Sequence, residues 1–151
     1  MKKDGDVDWR SLEQFSFGDS PRLAQELAEL VLVGKKRATC WAASEGPKTQ
    51  VGKRWVVLGG SGIPVAVIET VELTQRRFDD EVDGAFADDE GEDDRTLTSW
   101  RRAHQNYFGR QGTFAPDMLL YCERFRLVAH LDAEAAPDPT RAPTDRRVKD
   151  A

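Results

Sequence analysis

The sequence predicts an α+β fold, a single small domain in which a bent, partly closed β-barrel carries helices on one side. Three observations lead there. Two segments show one apolar stripe at helical spacing, and several others alternate or run apolar over strand lengths. The order of helix, strands, acidic loop, helix and strand has no regular βαβ alternation. At 151 residues, with 39% hydrophobic and 32% charged, the chain has the material for one domain with a real core.

The elements follow in chain order. Residues 1–15 are expected as a partly ordered extension anchored by Trp9, with "WRSLEQFSF" suited to a short helix. Ser20 is a good N-cap and Pro21 fits the first turn, where its missing N–H costs nothing. Leu23, Leu27, Leu30 and Val31 then form one stripe, and Gly34 can take the left-handed conformation of a helix stop, so a helix spans about 21–33. "RATCWAA" suits an extended segment with Thr39 and Trp41 on one face and Ala38, Cys40 and Ala42 on the other. "RWVVLGG" and "IPVAVIETVELTQ", joined through the "GGSG" turn, read as a hairpin. "FDDEV" suits one helical turn before an acidic loop. "TLTSWRRAHQNYF" is the second helix, its stripe running through Leu97, Trp100, His104, Tyr107 and Phe108, with Gly109 as the expected stop. "MLLYCERFRLVAHL" closes the domain as a long strand. Residues 133–151 are Pro-rich without apolar period, and are expected as a disordered tail.

Several function classes drop out. No apolar run approaches the roughly 20 residues needed to cross a bilayer, and no apolar stretch follows Lys2 and Lys3 as in a signal peptide. A cytoplasmic protein without a membrane partner is expected. Cys40 and Cys122 are far apart in sequence, the histidines are His104 and His130, and no metal-ligand spacing occurs, so neither metal nor cofactor is expected. Both cysteines read as reduced, buried strand residues. "GGSG" lacks the Lys-Ser/Thr of a phosphate loop, and no G-x-S-x-G elbow is present.

The net charge of −5 hides an asymmetry. Residues 79–94, "DDEVDGAFADDEGEDD", hold ten acids and no base, so the remainder carries 22 bases against 17 acids. A basic body with one acidic segment keeps a nucleic-acid or nucleotide partner open, while most of the acidic run reads as a solvated loop.

"GKKRAT", residues 34–39, has two readings. Cations after a helix C-terminus complement its dipole by roughly 0.3 to 1 kcal/mol each, which explains "KKR" as a cap. Lys36 and Thr39 would converge only across a bend, which a helix-to-strand corner at Gly34 supplies. A lysine folded inward beside a hydroxyl can approach a general-base pKa and activate a nucleophile. His104, on the apolar stripe of its helix, reads as a core histidine.

The blocks "FGDSPRLAQELAELVLVGKKRAT", "VGKRWVVL", "PVAVIETVEL", "FADDEGEDDRTLTSWRRAH" and "MLLYCERFRLV" resemble, in order, an ASCH domain of the PUA-like superfamily, here residues 16–132. The G-x-K-x-x-T hallmark falls on Gly34, Lys36 and Thr39. The resemblance implies a small PUA-like β-barrel with flanking helices and a partner that is RNA or a modified nucleoside. Some small bacterial members are similar to amidohydrolases that deacylate the exocyclic amine of modified cytidine, and others act as ribonucleases. The hydrolase reading is favoured, and a non-catalytic RNA-binding module is its rival. Carried over, the catalytic set is Lys36 as base and then acid, Thr39 as nucleophile or water-positioning group, and Glu92 as proton acceptor, with Glu90 as the alternative glutamate. Trp41 would stack on a base or pack in the core, Lys35 and Arg37 would meet phosphates in the binding module, Arg95 would bridge within the acidic loop or meet a substrate carbonyl, and Arg124 would line the barrel mouth.

Overall fold

The computed structural model describes residues 8–131 and the backbone of 147–149. A short 3-10 turn, Trp9–Ser11, precedes strand β1 (Gln14–Phe17). Helix α1 (Pro21–Leu32) begins where Ser20 Oγ accepts from the Leu23 amide at 3.1 Å, the cap that residues 20–21 foretell. Ala24, Leu27, Ala28 and Val31 are its buried side. Strand β2 (Ala38–Ala42) is buried along its whole length. Strands β3 (Arg54–Leu58) and β4 (Pro64–Arg77) form the expected hairpin. Helices α2 (Gly84–Glu90) and α3 (Leu97–Gln111) follow, and β5 (Leu119–His130) closes the domain.

Among the described residues, strands β1 to β5, a short strand β6 (Arg147–Lys149) and helices α1 to α3 give the α+β class. The sheet is mixed, in the order β2-β5-β4-β3-β1-β6, with β1 parallel to both β3 and β6 and the other pairs antiparallel. The β4–β5 ladder is the longest, from Ala66 opposite His130 to Arg77 opposite Leu119. Two register shifts interrupt it, and such bulges bend a sheet. Bending does not close it: among the described residues no ladder joins β2 to β1 or β6, so the sheet is open where a partly closed barrel was expected. The helices also divide rather than share one side. α1 packs with Phe15, Phe17, Trp55 and Phe125, while α2 and α3 pack with Ala38, Cys40, Leu120 and Cys122.

Other departures have local causes. "WRSLEQFSF" divides: its start is the 3-10 turn Trp9–Ser11, and Gln14–Phe17 is strand, because Phe15 and Phe17 alternate into the core at period two. The acidic run is not all loop. Asp83 Oδ1 caps α2 by accepting from the Phe86 amide, and Phe86, Ala87 and Glu90 are buried. Helix α3 runs through Gly109 to the left-handed Gly112, since a helix tolerates an interior glycine when its apolar face is held. Of residues 133–151, only 147–149 fall among those described. Arg147–Lys149 form a short strand β6 parallel to β1, and the rest of that expectation, like residues 1–7, lies outside the described residues. No helix among the described residues is long and apolar enough to cross a membrane.

Candidate functional site

The corner after α1 turns Lys36 inward. Val33 caps the helix, Gly34 takes φ +82, and the Leu30 carbonyl oxygen accepts from both the Lys35 and Lys36 amides. The corner is then tied on two sides. The Arg37 amide donates to the Asp89 carbonyl at 2.6 Å, and the Arg37 carbonyl accepts from the Phe125 amide at 2.9 Å. Lys35 and Arg37 therefore face solvent while Lys36 is 1% exposed. The end of α2 can approach this corner only because residue 91 is glycine. Gly91 is left-handed, and a Cβ there would stand 2.1 Å from the Lys35 carbonyl oxygen.

That approach assembles a cluster of charges. Lys36 Nζ lies 2.7 Å from Glu90 Oε1, 2.7 Å from Glu92 Oε2 and 3.3 Å from the Glu90 carbonyl oxygen. The ammonium also lies 5.4 Å from the centre of the Phe17 ring. The Trp100 indole N–H donates to Glu90 Oε2 at 2.9 Å, and His104 Nε2 is 3.4 Å from the same oxygen. Burial alone would raise the Glu90 carboxyl, but the adjacent charges of Lys36 and His104 outweigh it and hold the group below its ordinary value. The side chains of Lys36 and Glu90 are fully buried, and Glu92 is the member that reaches solvent, at 12%.

The other expected residues take distinct places. Thr39 is buried on β2, directly across the ladder from Glu123. Glu123 is the acceptor at the end of a chain in which Trp55 donates to Thr49, Thr49 bonds Thr70, and the Thr70 hydroxyl donates to Glu123 at 2.7 Å. Trp41 is 2% exposed, donates its indole N–H to the Gly46 carbonyl and stacks on Tyr121. Arg124 is bound to Asp89 and Glu72, Arg37 to Asp89, and Arg95 to Asp88. These three arginines are spent on the acidic segment.

The structure therefore brings Lys36, Glu90 and Glu92 together and adds two residues that the sequence did not mark for the site, Trp100 and His104. Helical periodicity puts both on the buried stripe of α3, but nothing in it says that a carboxylate from α2 meets them. A cavity of about 620 Å³ has Phe17, the ring beside the Lys36 ammonium, in its wall together with Ser16, Asp19, Lys48, Tyr107 and Gln111, and Lys36, Glu90 and Glu92 are not among its lining residues.

The fold also brings Cys40, Glu90 and His104 close enough to consider a metal, with one oxygen, nitrogen or sulfur of each within 4.8 Å of the others. Glu90 already accepts from Lys36 and Trp100, and His104 Nδ1 is engaged by the Trp100 carbonyl at 2.8 Å. An ammonium at 2.7 Å is an unfavourable neighbour for a divalent cation, so we read Glu90 and His104 as hydrogen-bonded parts of the core, with Cys40 buried beside them.

Comparison with known proteins agrees with this architecture. The ASCH domain model matches residues 13–129. The crystal structure of an ASCH domain from Lactobacillus crispatus JV V101 is 33% identical, covers 85% of this chain and 86% of its own, and superposes with a TM-score of 0.73. A protein from Enterococcus faecalis V583, assigned to the family model DUF984, is 31% identical over 78% of this chain and 77% of its own, with a TM-score of 0.68. A search of curated proteins found no match. The continuous match over most of the chain, with the same fold in relatives above 30% identity, establishes that the chain belongs to the ASCH domain family.

Proposed function

We propose that the protein hydrolyses the amide of an N4-acylcytidine-like nucleoside at the Glu92 edge of the Lys36 cluster. The observation that carries this reading is the ammonium buried between two carboxylates, one sealed and one at the solvent edge. Surface cations that only grip phosphates have no need of such burial, which is costly unless the partners are well placed.

The geometry favours a different division of labour from the one the family resemblance implies. Three acceptors surround the three N–H donors of Lys36, so the resting group is an ammonium and not a base. Glu92 is the better base. It takes a proton from the water that adds to the acyl carbonyl carbon. Protonation weakens its hold on Lys36, which frees one ammonium N–H for the oxyanion as that charge develops. Collapse of the intermediate breaks the C–N bond, the proton held by Glu92 passes to the leaving exocyclic amine, and the products are a carboxylic acid and cytidine. The role of Thr39 in orienting the water or the acyl group rests on the family resemblance alone, since its side chain is buried on β2. The cavity of about 620 Å³ on the other side of Phe17 has the volume for a nucleoside. Asp88, Asp89, Asp93 and Asp94 around Glu92 disfavour a polyanion and favour a substrate without phosphates.

The test is incubation of the purified protein with N4-acetylcytidine and, separately, with single-stranded RNA, followed by chromatography. Release of cytidine that falls at least about 100-fold in Glu92→Gln, with the circular dichroism spectrum kept, supports the reading. Cleavage of RNA with N4-acetylcytidine left intact would favour the phosphodiesterase instead. Undiminished deacylation in Glu92→Gln removes Glu92 from the mechanism.

A further inference from the structure

His104 is 1% exposed, faces Glu90 and has no task in the proposed reaction. Its protonation follows from its neighbours. Nδ1 lies 2.8 Å from the Trp100 carbonyl oxygen, which can only accept, so Nδ1 carries a proton. Nε2 lies 3.4 Å from Glu90 Oε2. A bare nitrogen lone pair against a carboxylate oxygen in a dry site would be repulsive, so Nε2 carries a proton too, and the ring is an imidazolium. The ring is held in this pose by stacking on Trp100, centre to centre 4.3 Å.

Charge balance gives the imidazolium its consequence. Lys36 and His104 supply two positive charges, and Glu90 and Glu92 two negative ones. Were His104 neutral, this nearly solvent-free cluster would hold a net negative charge, which low-dielectric surroundings penalise. A proton taken up by Glu90 would relieve it, but both Glu90 oxygens already accept, from Lys36 and from Trp100. The titratable groups packed against His104 are Glu90 from α2 and the Cys40 thiol from β2. Lys36 and Glu92 lie one carboxylate further on. Trp100 and Phe108, on its own helix, are uncharged.

We propose that His104 is a positioning residue of this site: as an imidazolium it keeps Glu90 ionised, and Glu90 then holds Lys36 as an ammonium with one donor directed at Glu92. The effect on turnover rests on the amide-hydrolysis reading, whereas the protonation states stand without it. Removal of the His104 charge takes a cation away from the carboxylates, so Glu92 binds its proton more tightly.

Two measurements test this. The first is the long-range 1H–15N spectrum of the imidazoles at pH 7.5, where an ordinary histidine with a pKa near 6.5 is mostly neutral. With His130 as the internal comparison, His104 should show two protonated nitrogens; an unprotonated Nε2 overturns the proposal. The second compares His104→Gln, which can keep an N–H donor towards Glu90, with His104→Phe, which keeps an aromatic ring against Trp100. The acid limb of the kcat–pH profile should move up by about one pH unit in both, with KM little changed. A wild-type limb in His104→Gln would show that hydrogen bonding and not charge matters, and would overturn the proposal. If wild type has no deacylase activity, the hydrolysis reading fails while the imidazole spectrum still decides for or against His104.

Discussion

Lys36 and Glu90 meet at 2.7 Å with both side chains fully sealed from solvent. Glu92 is equally close to the same ammonium but keeps contact with water. The two carboxylates should therefore behave differently on substitution. Glu90→Ala leaves the buried ammonium with one carboxylate instead of two and takes the acceptor from the Trp100 indole N–H, and should cost about 3–5 kcal/mol in urea unfolding. Glu92→Gln keeps an acceptor beside Lys36 and should stay within about 1 kcal/mol of wild type. Lys36→Met combined with Glu90→Gln should recover part of the loss, because neither buried charge then remains. Equal costs for the two glutamates would contradict the difference in burial.

Gly91 and Gly34 are both left-handed, yet they should differ in tolerance. Around Gly34 a Cβ would meet nothing within 4 Å, so Gly34→Ala should cost only the conformational penalty of about 1–2 kcal/mol. At Gly91 the same methyl would stand 2.1 Å from the Lys35 carbonyl oxygen and 2.9 Å from the Lys36 amide nitrogen. Backbone must move there, and it is the backbone that carries Lys36. Gly91→Ala should therefore cost more than about 2 kcal/mol and abolish any activity that depends on Lys36. Thermal unfolding of the two variants side by side is the check.

Acid should act on the same cluster. The folded-state pKa of Glu90 lies below its ordinary 4.5, so the unfolded chain binds the proton more readily. Its contribution to stability is complete above pH 4.5 and is lost as pH falls from there towards the depressed folded value. The difference in unfolding free energy between wild type and Glu90→Gln should thus be constant near neutrality and shrink below about pH 4.5. A difference that grew on acidification would mean that Glu90 is protonated in the fold.

Much of this could be read in the sequence, for identifiable reasons. Ser20, Pro21 and the stripe from Leu23 to Val31 determine α1 locally, and "GGSG" between two apolar runs determines the hairpin. Lys36 was legible as inward-turning because a glycine stop and a following strand leave it at a corner. The centrality of Glu90 was not. Ten acids in sixteen residues look like a solvated loop, and a loop gives no reason to bury one of them. What buries Glu90 is the short α2, whose Phe86 and Ala87 go into the core and carry Glu90 on to Trp100 and His104. That is a long-range packing effect with no periodic signature. The open edge of the sheet was hidden in the same way, since hairpin signals say which strands pair but not whether the first meets the last.

Asp89 offers the last test, on partner class. Its carboxylate binds Arg37 at 2.9 Å and Arg124 at 2.8 Å, two of the cations expected to contact RNA. Asp89→Asn keeps the backbone carbonyl that accepts from the Arg37 amide but releases the side-chain charge. If the acidic segment screens this surface against polyanions, the variant should bind a single-stranded RNA oligomer more tightly than wild type at low salt. Each phosphate newly met should steepen the salt dependence by about 0.7 in the log–log slope, so two freed arginines allow up to about 1.4. Fluorescence anisotropy titrations at several salt concentrations measure both quantities. A wild type that already binds tightly, and is weakened by the substitution, would mean that Arg37 and Arg124 are ordered by Asp89 for RNA and would favour the binding module over the nucleoside hydrolase.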